Sequence, residues 1–167
     1  ELFRQDLKDR NMGDMSAQFL MASGKLQALC YKHEIERTLR TPDYAGFQLL
    51  SLNDYSGQGT ALVGVLNAFW EEKGYIDATE FRQFCAPTVL LSQMDKFVYK
   101  NNEQLSADIE ISHFGKEALR DESVNWSVQD EYGKVFAKGI LMADNIKIGN
   151  GQQLGTINVP LNNINKV

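Results

Sequence analysis

The sequence predicts an α+β protein made of two unlike parts, and three observations carry that prediction. Residues 1–87 are mostly helix-like, with apolar positions recurring at spacings of three and four. Within them, Phe47 to Leu52 is a near-continuous apolar run that ends abruptly in Asn53-Asp54-Tyr55. From Thr88 onward, apolar residues alternate with polar ones in short runs separated by turn residues. The boundary falls near Pro87, giving domains 1–87 and 88–167. An apolar strand without alternation reads as buried on both faces, as parallel strands of an α/β core are. Polar groups just past its carboxyl end stand where α/β barrels keep their active sites. The first part therefore reads as the end of a (β/α)8 barrel, helices plus one buried strand, whose other strands are absent from this chain.

The elements follow in order. Leu2, Phe3 and Leu7 among charges predict a short amphipathic helix, which Gly13 interrupts. Asp14 is placed to cap a second helix running to about Leu39, with Met15, Phe19, Leu20, Leu26, Leu29 and Cys30 as its apolar face. Thr41-Pro42-Asp43 stops that helix, because proline cannot continue it and restricts the preceding residue. After the strand, residues 55–60 are too glycine-rich for regular structure. They do not form a phosphate loop, which needs a lysine followed by Ser or Thr at its end. Ala61 to Trp70 reads as helical or irregular. Asp77 with Glu80 three positions on is a capping-box pattern, starting a last helix that Pro87 ends.

In the second part, Leu105, Ala107, Ile109 and Ile111 form one alternating set, and Val124, Trp126 and Val128 another. Asp130 to Lys134 reads as a hairpin turn into a strand from Val135 to Leu141. Gly149 to Gln152 reads as a further turn before a strand from Leu154 to Leu161. Strands at this spacing predict an antiparallel immunoglobulin-like β-sandwich, which needs about seven strands in about 100 residues. Five or six are in view, so the sandwich reads as incomplete.

Composition narrows the function. A hydrophobic content of 43% supports a real core. The net charge of -5 argues against nucleic acid or an anionic membrane surface as partner, since both require a basic footprint. The sequence shows neither a membrane-spanning apolar run nor a signal peptide at its start. Glu1 opens on helix-like sequence, as expected of a piece cut from something longer. Cys30 and Cys85 lie in apolar surroundings and read as buried free thiols, with a disulfide left open. His33 and His113 stand far apart with no cysteine pair nearby, so no zinc spacing exists and no metal or other cofactor is expected.

Two long stretches, FLMASGKLQALCYKHEIERTLRTPDYAGFQLLSLNDYSGQGTALVGVLNAFWEEKGYI and EFRQFCAPTVLL, resemble glycoside hydrolase family two, most of all its β-galactosidase-like members from gut commensal bacteria. The resemblance covers nearly the whole chain and is densest from Phe19 to Val89. It implies that residues 14–40 are the seventh barrel helix, 46–52 the eighth strand, 78–85 the last helix, and 88–167 the start of the following sandwich. It also implies a parent that is periplasmic or exported and cleaves glycosides with two glutamates, both upstream of Glu1. A retaining glycosidase needs two carboxyls about 5–5.5 Å apart. Glu34 and Glu36 fall on an outer helix, and Asp54 is the one acid near a strand's carboxyl end. One carboxylate is not a pair, so this chain alone is expected to be inactive.

The expected contribution is a wall of the sugar pocket, made by Asn53, Asp54, Tyr55 and Gln58. Asn53, Asp54 and Gln58 can hydrogen-bond hydroxyls, and Tyr55 and Trp70 can stack on a pyranose face. Asp54 equally reads as a loop brace, and Gln58 reads first as loop scaffolding. Trp70 reads first as packing at the barrel edge, and Trp126 as sandwich core. Tyr31, His33 and Glu34 read as helix surface, and His113 as a turn residue. Two other functions compete: a stand-alone carbohydrate-binding or interaction sandwich, and a small enzyme joining Asp54 to His33 or Glu34. The strand from Phe47 to Leu52 would lack a neighbour, and exposed strand edges invite pairing with another chain. Self-association through it is therefore expected, unless the segment abandons its barrel conformation.

Overall fold

The computed structural model describes residues 2–57, 62–162 and 164. It has mixed α+β architecture and divides into two compact units: Glu1–Ile35 with Phe47–Cys85, and Glu36–Gly46 with Ala86–Val167.

The first unit is helix and irregular chain. Helix α1 spans Leu2–Asp9, a 3-10 turn spans Gly13–Met15, and helix α2 spans Ser16–Arg40. Asp14 lies inside the 3-10 turn, one step removed from its expected place as cap. Helix α3, Ala78–Arg82, starts on the predicted capping box: Glu80 N donates to Asp77 Oδ1 at 2.8 Å and Asp77 N to Glu80 Oε2 at 3.3 Å. Two orphan amides of the first turn are thereby satisfied.

Two expectations for this unit are corrected. The buried residues of α2 are Gly24, Ala28, Ile35 and Leu39, whereas Phe19, Leu20, Leu26, Leu29 and Cys30 are exposed. Gly24 is buried because the Tyr75 ring lies where a Cβ would stand. Residues 62–85 pack on the helix at Gly24 and Gln27, where Tyr75 meets both. The second correction is the apolar run at 47–52. It forms no strand, and Leu50 is 86% exposed. A parallel strand is held by backbone bonds to neighbours. Pairing here shrinks to an isolated parallel bridge, Asn53 with Leu66, and an antiparallel one, Leu66 with Glu72.

The second unit is antiparallel. Its strands are β1 (Thr88–Gln93), β2 (Gln104–His113), β3 (Leu119–Gln129), β4 (Val135–Ile146) and β5 (Gly149–Pro160). They form a sheet of order β1-β2-β5 and a two-stranded sheet β3-β4. The predicted turn at residues 130–134 is present: Asp130 Oδ1 accepts from Tyr132 N and Lys134 N, and Gly133 takes φ +82°. β5 starts at Gly149, earlier than expected, so the turn before it is Lys147 and Ile148.

Alternation places the core. Ala107 and Ile109 of β2 and Ile157 and Val159 of β5 are buried, and Trp126, Val128, Ala137 and Leu141 of the other sheet pack against them. Trp126 pairs across strands with Gly139, and its ring occupies the space a Cβ there would need. His113 is not a turn residue. It ends β2, is 3% exposed, and has a ring nitrogen on each of Thr88 Oγ1 (2.7 Å) and Glu117 O (2.8 Å). Both polar ends of a buried imidazole are thus satisfied.

A candidate binding turn braced by an ion pair

Among the predicted site residues, the structure brings Asn53, Asp54 and Tyr55 onto one turn; Gln58 lies outside the described residues. The turn is held at its base by backbone: Leu66 N donates to Leu52 O at 3.1 Å, and Asp54 N to Leu66 O at 3.0 Å. Close approach there requires a glycine. A Cβ on Gly64 would run into the Asn53 carbonyl carbon and the Asp54 nitrogen.

Asp54 is buried, 7% exposed, and its carboxylate is engaged. Oδ1 accepts from Gly64 N at 2.9 Å and from Lys73 Nζ at 2.7 Å. Lys73 Nζ also donates to Gly64 O at 2.7 Å. One ammonium therefore closes a ring through the carboxylate and both polar groups of Gly64. Charge-assisted bonds of this length are the strong ones, and a paired charge tolerates burial where a lone one does not.

A second tier ties the turn to helix α2. The Tyr75 hydroxyl lies 2.9 Å from Gly64 O and 3.1 Å from Gln27 Oε1, so its one proton serves two acceptors. Gln27 Nε2 donates to Val63 O. Burial, then the Asp54 carboxylate, then Tyr31 push the Tyr75 phenol above its ordinary range. All three disfavour the phenolate, which keeps the hydroxyl a donor.

Away from the brace, the turn carries a polar and an aromatic side chain. The Asn53 amide is half-buried and donates to Asp54 O at 3.1 Å. Tyr55 is 60% exposed. Beyond Leu66, the Asn67 side chain organises a tight loop, accepting from Phe69 N (2.8 Å) and Glu71 N (3.0 Å) and donating to Glu71 Oε2 (2.8 Å). That loop leaves Phe69 and Trp70 exposed, with Trp70 at φ +68°. Trp70 is therefore not packed at an edge, as its sequence neighbourhood suggested.

Chemically the turn can hydrogen-bond and stack. The contacts of Asp54 are to Lys73 and Gly64, while His33 and Glu34 lie on the exposed surface of α2. Among the described residues, no group of three or more His, Cys, Asp and Glu side chains could hold a metal ion. Cys30 and Cys85 are free; Cys30 is exposed rather than buried, and burial raises the Cys85 thiol. Sequence reasoning missed Gln27, Gly64, Lys73 and Tyr75. Their partners lie between 9 and 48 residues away along the chain, so no local spacing announces them.

A family model described as a domain of unknown function, DUF8488, matches residues 103–167, which covers β2 to β5. No curated protein matches the chain. No helix among the described residues is long and apolar enough to cross a membrane.

Proposed function

We propose that this chain is a non-catalytic C-terminal fragment of a family-two glycoside hydrolase of the β-galactosidase-like kind. The parent cleaves O-glycosidic bonds with retention, using two glutamates that lie upstream. The fragment supplies one wall of the sugar pocket through Asn53, Asp54, Tyr55 and Gln58, with Asp54 acting as the brace. The observation that carries this reading is the Lys73–Asp54–Gly64 ring. It commits the acid nearest the turn to holding shape, which supports a contacting role for its neighbours, the half-buried Asn53 amide and the exposed Tyr55 ring.

Other features support it. The exposed apolar residues Leu20, Leu26, Leu29 and Leu50 are what a barrel's remaining elements would cover. The two antiparallel sheets around one core suit the start of an immunoglobulin-like sandwich, whose full form has about seven strands. Periplasmic or exported placement of the parent belongs to the same proposal. Carbohydrate is the proposed ligand of the full-length protein, with neither nucleic acid nor membrane as partner.

The test is hydrolysis of a panel of nitrophenyl β-glycosides by this chain and by a form extended upstream. Turnover by the extended form alone is expected, and its best substrate names the sugar. Turnover by the short chain would sink the non-catalytic reading.

One observation favours a second reading, a stand-alone carbohydrate-binding or interaction module. The strand unit has its own buried core, and the DUF8488 match lies wholly inside it. Saturable sugar binding by this chain that survives loss of the Tyr55 and Asn53 side chains would favour that reading.

A further inference from the structure

Asn150 is the one asparagine in the chain followed by glycine. That pairing matters chemically, because a glycine amide has no side chain to shield it from the neighbouring asparagine Cγ. The fold adds four things. Gly149 pairs with His113 and Gln152 with Ile111, so Asn150 and Gly151 together face the single residue Ser112. This is a β-bulge, which disrupts the ladder locally and leaves an extra residue unpaired. Gly151 sits at φ +63°, outside strand geometry. Both residues are half-buried, within reach of solvent water. A long bond restrains the side chain, Asn150 Nδ2 donating to Tyr44 O at 3.2 Å.

We propose that Asn150 is a site of spontaneous deamidation in the folded chain, and that the reaction releases residues 41–46 from the start of β5. The Gly151 nitrogen attacks Asn150 Cγ, its proton passes to solvent base, and the side-chain amide leaves as ammonia. A cyclic imide remains. Water opens it at either carbonyl, giving aspartate or isoaspartate, so that the net change is water consumed and ammonia released. The product carboxylate cannot donate, and it faces the Tyr44 carbonyl that the amide had satisfied. Isoaspartate also inserts a backbone methylene into the bulge. Either product adds one negative charge to a chain already at -5.

The experiment compares the whole chain, its Asn150→Gln variant and a synthetic peptide of residues 147–153 in warm, mildly alkaline buffer. Peptide mapping with isoaspartate detection follows the conversion. The expected result is that Asn150 converts before every other asparagine, at a rate less than an order of magnitude below the peptide's. The Asn150→Gln chain should show no new acidic form on anion exchange over that interval. In the converted chain, amide exchange at Tyr44 and Gly46 should rise. A folded chain that converts an order of magnitude or more slowly than the peptide would overturn the site, because the fold would then protect it. Unchanged exchange in the converted form would overturn the release. Gly151→Ala is not a clean control, since a Cβ there would stand 2.8 Å from Arg40 O.

Discussion

The Lys73 ammonium lies 2.7 Å from Asp54 Oδ1, and the same nitrogen lies 2.7 Å from the Gly64 carbonyl. A single side chain, 19 residues along the chain from its acid, thereby sets the shape of the turn that carries Asn53 and Tyr55.

Removing that cation tests the brace. Lys73→Met leaves the buried carboxylate with Gly64 N alone among the described residues, and the expected loss is about 3 kcal/mol, the low end for breaking a buried pair because Lys73 keeps some solvent contact. Asp54→Asn keeps an acceptor for Gly64 N and should cost less. Urea unfolding of the two variants beside the parent chain measures both. Equal stability of all three would show the ring to be ornamental.

Gly64 is predicted to be intolerant. Gly64→Ala pushes a methyl into the Asn53 carbonyl carbon and should cost about 1–3 kcal/mol, as overpacking does. Gly133→Ala, where a Cβ meets open space, isolates the backbone cost of a positive φ. A smaller loss at Gly64 than at Gly133 in thermal melts would contradict the close approach.

Trp126 of β3 packs against the buried residues of β2 and β5. Trp126→Ala should cost about 3 kcal/mol, the lower end for a large aromatic because the ring is half-buried. Trp126→Phe should recover part of it. The remaining tryptophan, Trp70, is exposed and reports poorly on this core, so circular dichroism is the measurement.

Acid sensitivity has a named contributor. The side-chain bond from Lys96, then the Lys100 amide, hold Glu103 below the ordinary glutamate range. A depressed carboxyl favours the folded state above the unfolded-state pKa, and that contribution fades as pH falls through the folded one. Carbon-detected NMR titration should therefore find Glu103 among the last glutamates to protonate. Lys96→Met should move its midpoint upward; an unmoved midpoint would refute the assignment.

Self-association is the last expectation. Leu20, Leu26, Leu29 and Leu50 expose apolar area to water, with or without strand pairing at 47–52. Light scattering should show mass rising with concentration, and Leu26→Asp combined with Leu50→Asp should suppress the rise. A strictly monomeric parent chain at high concentration would end the idea.

Local chemistry by itself determined a good deal of this protein. The capping box at Asp77 and Glu80, the stop at Pro42, the hairpin turn at Asp130 and the alternation that buries Ala107 and Ile109 all involve residues within a few positions of one another. Their signals survive in a linear reading because a turn, a cap or a pleat is decided over that range. Only the tertiary structure decided which face of α2 is buried, whether residues 47–52 pair as a strand, and what Asp54 does. Amphipathicity says that a face will be covered when a partner exists, and an apolar run becomes a strand only beside another strand. The carboxylate's task depended on Lys73 and Gly64, which reach it only once the chain has folded back across itself.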